Sequence, residues 1–131
     1  MLQQDYIMRL IREFFAALAR ALEKPEIEDR AKAIHQLYLQ YLGDYEFYQN
    51  ATIEEGLERI SHFPEEQRLY RTEMLAELYY AESDLRPAPI AETLLWRALP
   101  LFEYVDRHSK LYSFDRLRKM DEIRRRIDLS D

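Results

Sequence analysis

Gln3 to Leu22, QQDYIMRLIREFFAALARAL, constrains the fold of this chain more than any other stretch. At about 100° per residue, Tyr6, Ile7, Leu10, Ile11, Phe14, Phe15, Leu18 and Leu22 cover half of a helix surface, while Arg9, Arg12, Glu13 and Arg20 share the other side with small alanines. So wide an apolar face needs more than one neighbour, which predicts a first helix on which the others pack. Only 2 of the 131 residues are glycine, 34% are charged, and Leu, Ala, Glu and Arg dominate, all of which lose little on entering a helix. The expected class is all-α, as a single helical domain over 1–131. The chain has no cysteine, which excludes disulfides, thiolate chemistry and Cys-based zinc or iron–sulfur sites. Small exported domains more often carry bridges, so the cytoplasm is the expected compartment. Acid and arginine interrupt the first thirteen residues, so neither a signal peptide nor a membrane span is expected there. The mixed polar face of the first helix and the net charge of −6 also speak against its lying on a membrane.

Punctuation along the chain predicts five to six antiparallel helices. Pro25 suits the first position of a second helix, which runs to about Leu42 with Gly43 at its C-terminal cap. Asp44 to Ala51 has three aromatics without a period and reads as irregular. Thr52 and Glu55 have the spacing of a capping box ahead of Ile53, Leu57 and Ile60. Pro64 opens a helix to about Ser83 that carries two apolar stripes, Leu69, Thr72, Leu75, Ala76 and Tyr79 on one side and Tyr70, Met74, Leu78, Ala81 and Leu85 on another. Two stripes predict burial on two faces. RPAP, residues 86–89, opens a fifth helix through about Arg107, and Ser113 caps the last one, with Tyr112 and Leu117 spaced for a hydrophobic staple.

Within the fifth helix, Trp96, Pro100 and Tyr104 follow one another at i, i+4 and i+8, away from the main apolar face. Pro100 predicts a kink, and the row is either a cover for a neighbouring helix or an exposed aromatic ridge, since Trp and Tyr are favoured interface anchors. The last helix is basic: from Arg107 to Arg126 eight basic residues face three acidic ones, so this stretch carries +5 and the remainder −11. Arg124, Arg125 and Arg126 are the candidate residues for docking an acidic surface. That surface belongs to the protein's own body or a second copy, or the run contacts a phosphate backbone. No aromatic stacking residues interleave with these arginines, which disfavours nucleic acid.

Signals of catalysis are sparse. The sequence has no Gly-rich phosphate loop, nucleophile elbow or HExxH helix, and His35, His62 and His108 lie in different segments. Glu58 and His62 sit one turn apart, Asp106 is close to His108, and Glu54/Glu58 and Glu73/Glu77 are carboxylate pairs at i, i+4. Without a Glu-x-x-His element the di-iron pattern is incomplete. No metal, cofactor or catalytic residue is assigned. Ten tyrosines in a helical chain are expected to pack their rings in the core.

The opening QQDYIMRLIREFFAALARAL, the Tyr-rich LYLQYLG, the TIEEGLERI segment and the late YSFDRLRKMDEI together resemble a family of short bacterial proteins known only as a domain of unknown function. The resemblance implies helices similar to tetratricopeptide-repeat pairs, stacked as right-handed antiparallel hairpins, and carries over no catalytic residue. No 34-residue self-similarity accompanies it. The sequence therefore leads to a TPR-like helical array or bundle acting as a non-enzymatic protein interaction module, with a homodimer as the first expected partner. The competing expectations are an enzyme or small-ligand binder with a tyrosine-lined pocket between helices, and a nucleic-acid contact through the basic C-terminal helix.

Overall fold

The computed structural model describes residues 2–130. Among the described residues there are seven helices and no strand: α1 (Leu2–Leu22), α2 (Ile27–Leu42), α3 (Glu46–Asn50), α4 (Ile53–Ile60), α5 (Glu65–Ser83), α6 (Ile90–His108) and α7 (Phe114–Ser130). The class is all-α, but the count exceeds the five to six expected. The added helix is α3, a single turn in the stretch that showed no period. The Asp44 carboxylate accepts from the Phe47 amide at 3.1 Å and so starts the turn, while Tyr48 is fully buried and holds it down.

Local chemistry sets the other boundaries. Pro25 lies outside α2 rather than in its first turn, with Glu26 at the N-cap. Arg30 reaches back to donate to the carbonyls of Lys24 and Pro25, tying the start of α2 to the end of α1. Gly43 ends α2 at φ 89°, a left-handed conformation that costs a residue with a Cβ about 1–2 kcal/mol. Thr52 and Glu55 form the capping box in both directions, at 3.1 and 2.8 Å. Ser113 Oγ accepts from the Arg116 amide at 3.1 Å and so caps α7. Of the residues at the staple position, Tyr112 meets the edge of Phe114 at 4.8 Å, and both rings stand in solvent. Pro100 sits inside α6 without ending it.

Packing centres on α5, not on α1. The helices α1 and α2 pair, α2 lies on α5, α5 pairs with α6, and α6 with α7, while α1 and α4 also touch α5. From Arg71 to Ser83 every side chain of α5 except Glu73 and Tyr80 is buried. The reason is the distribution of Met74, Leu75, Ala76, Leu78, Tyr79 and Ala81 around the helix, which leaves no face for solvent. In α1 the buried set is narrower than its apolar face: Ile7, Phe14, Leu18 and Ala21 are inside, while Tyr6 and Leu22 are exposed. One continuous core joins Phe14, Ile34, Tyr48, Ile60, Leu78, Phe102 and Ile123, from seven different helices.

Candidate functional site

A helix surrounded on all sides must neutralise any charge it carries, because an unpaired buried ion costs several kcal/mol. Helix α5 buries Glu77 and Glu82 and half-buries Glu73. Each finds its partners on a different side.

Glu82, 2% exposed, accepts hydrogen bonds from Tyr38 Oη (2.9 Å), Tyr45 Oη (2.6 Å), Gln49 Nε2 (3.0 Å) and the Arg86 guanidinium (3.1 and 3.3 Å), so one carboxylate gathers α2, α3 and the end of α5. Burial and then the Glu82 charge push the Tyr38 phenol well up, and burial with the Glu82 hydrogen bond pushes Tyr45 up to about 12. Both remain donors through neutral pH. His35 stacks on Tyr45 at 4.0 Å. Beside this cluster, Tyr79 Oη donates to the Tyr48 carbonyl, and Tyr48 Oη has no hydrogen-bond partner.

The opposite side of α5 meets α7 through long side chains. Glu73 pairs with Arg116 at 3.1 Å, Glu77 with Lys119 at 2.6 Å, and Asp84 with Arg126 at 3.3 Å, while Tyr80 donates to Glu122. Both series ascend together, so α5 and α7 run parallel and a ladder of long side chains sets their register. Arg116 is 4% exposed and also holds Asp106 of α6 and the Leu111 carbonyl. Burial raises the Glu77 carboxyl against the attraction of Lys119. Burial works against the Lys119 ammonium too, but Glu77 and Asp115 outweigh it and hold its pKa above the ordinary lysine value.

The basic run lies in this ladder. Arg124 pairs with Glu103 of α6 at 3.0 Å and with Asp121 at 3.3 Å; Arg126 holds Asp84; Arg125 is exposed. Two of the three arginines thus meet carboxylates of the protein's own body. Glu73 and Glu77, read from the sequence as a carboxylate pair, face cations. Glu58 and His62 approach at 3.6 Å on the surface. Among the described residues no three His, Asp or Glu side chains converge on a metal-sized position.

The aromatic row divides. Trp96 is 54% exposed, whereas Pro100 and Tyr104 are half-buried. Tyr104 stacks on His108 at 4.2 Å and forms one wall of a cleft of about 400 Å³ where the C-terminal part of α6 meets α4 and the start of α5. Leu57, Ile60 and Leu69 supply its apolar side, and Ser61, Glu65, Arg68 and Thr72 its polar side. The row is a ridge at Trp96 that descends into a cleft at Tyr104. The lining of this cleft has no signature in the sequence, because its walls come from three helices.

These features define an all-helical protein built around one enclosed helix whose charged side chains hold its neighbours in place. No family model, curated protein or solved structure matches the chain.

Proposed function

We propose that this chain is a non-enzymatic interaction module that self-associates through α6. In this reading α1–α2 and α5–α6 are the two hairpins of a short TPR-like array, α7 closes it, and α3–α4 are an insertion that builds one wall of the cleft. The observation that carries the proposal is the large exposed indole of Trp96 on the same helix row as the cleft wall Tyr104. Trp96 and Tyr104 are equally spaced about Pro100, so two copies of α6 crossing antiparallel at Pro100 set each Trp96 against the partner's cleft. The contact is isologous, as a two-fold dimer requires. A buried aromatic anchor in a pocket is the usual centre of such an interface.

Light scattering over a concentration series tests this directly. The native protein is expected at twice the chain mass, and the pair Trp96→Ala with Tyr104→Ala at the chain mass with its helix content intact. Trp96 is the single tryptophan, so its emission reports the same event, shifting to the red on dilution. A native protein that stays at the chain mass at every concentration overturns self-association.

A further inference from the structure

Among the described residues, the three most exposed large apolar side chains lie within four residues of one another at the α6–α7 corner: Leu111 at 65%, Tyr112 at 71% and Phe114 at 78%. They do not belong to the Trp96 row. The segment that carries them is held from beneath: Ser109 Oγ bonds both the amide and the carbonyl of Leu111, Arg116 donates to the Leu111 carbonyl, and Ser113 caps α7. Tyr112 and Phe114 meet edge to face and form one protrusion. The corner is thus an apolar tip on a fixed backbone.

Two exposed cations precede it in the chain, in a protein of net charge −6. Arg107 and Lys110 are exposed and pair with no carboxylate among the described residues. The nearby acids are already engaged, Asp106 by Arg116 and Asp115 by Arg118 and Lys119. An apolar tip with two unpaired cations beside it in the chain matches the depth profile of an anionic bilayer surface. There aromatic and aliphatic groups settle at the headgroup boundary, and lysine and arginine meet the phosphates above it. An acidic protein groove offers the charge but not the graded polarity. We propose that the Leu111–Phe114 corner is a peripheral anchor for anionic lipid membranes, weak and reversible because it rests on three side chains and two cations.

The test is co-sedimentation of the full chain with vesicles of phosphatidylcholine alone and of phosphatidylcholine with phosphatidylserine. Binding is expected only with the anionic lipid. Each of Arg107→Gln and Lys110→Gln should weaken it about fivefold, from the energy of one cation near the surface. Tyr112→Ser with Phe114→Ser should abolish it while circular dichroism and the light-scattering mass stay native. All four side chains are exposed, so the variants are expected to fold. Absence of binding to anionic vesicles, or binding unchanged in the double aromatic variant, overturns the proposal. A changed mass in that variant overturns it as well and assigns the tip to a protein interface. Because these residues lie outside the Trp96 row, loss of vesicle binding and loss of the dimer are separately readable.

Discussion

Raising the pH should unfold this protein through its interior tyrosines. Tyr38, Tyr48 and Tyr79 are essentially inaccessible, and burial raises the phenol of each above the ordinary value of 10.0, Tyr48 to about 12. A group whose pKa is higher in the folded state holds more protons there, so its contribution is intact below the unfolded value and is lost as pH climbs towards the folded one. The window therefore opens near pH 10. At about pH 11 each tyrosine released by unfolding gains about 1.4 kcal/mol by ionising, and three give about 4 kcal/mol. That is a large part of the roughly 5–15 kcal/mol that holds a domain together. Lys119, also raised in the fold, acts in the same direction. Urea titrations at about pH 9 and about pH 11, followed by circular dichroism and by tyrosinate absorbance, measure the difference. Tyr48→Phe isolates one contribution: its hydroxyl has no partner, so the change is neutral or stabilising at pH 7 and removes about a third of the alkaline loss. A stability loss under about 1 kcal/mol, or tyrosinate from every tyrosine while the helices persist, would refute the reasoning.

Glu82→Ala should cost about 2–3 kcal/mol in urea unfolding, because it strands the buried Tyr38 hydroxyl and removes the ion pair of the half-exposed Arg86 guanidinium; a cost below about 1 kcal/mol would show the cluster to be incidental. Gly56→Ala should stabilise by about 1 kcal/mol, since the glycine lies inside α4 and an added Cβ would meet only Leu75 Cδ2 at an ordinary 3.6 Å. Gly43→Ala, at φ 89°, should destabilise by about 1–2 kcal/mol, and a thermal melt that moved both variants the same way would contradict the two assignments.

Boundaries were legible in the sequence wherever one side chain decides them. Gly43, the Thr52–Glu55 box and Ser113 mark helix ends by local hydrogen bonds, which depend only on neighbouring residues. The two stripes of α5 likewise announced a helix with neighbours on both sides. The central position of α5 was harder to see: α1 has the stronger one-sided pattern, and such a pattern marks a helix with one wet face, which is what α1 is. The single turn of α3 has no period to detect, since Tyr48 and the Glu82 cluster hold it from a distance. Charge was legible in amount but not in address. The excess in α7 is plain from a count, yet only the folded geometry shows Arg116, Lys119 and Arg126 meeting Glu73, Glu77 and Asp84. Spacing offered a clue, because acids one turn apart in one helix and cations at matching intervals in another can form a ladder. The exposed corner at Leu111 to Phe114 was hidden by the staple pattern, which suggested burial for Tyr112, whereas its ring is mostly in solvent.

The placement of α5 in the middle of the chain orders events on the ribosome. The hairpin α1–α2 emerges before α5, with Leu37, Tyr38, Tyr41 and Leu42 bare, and the helix that covers them is finished only after roughly forty more residues. At about 5–20 residues per second the hairpin waits for about two to eight seconds with its sticky side open. Newly made chains are therefore most vulnerable to misassociation in that interval. A nascent-chain cross-linking series should find holding chaperones on lengths that end before Ser83 and fewer on those that include it.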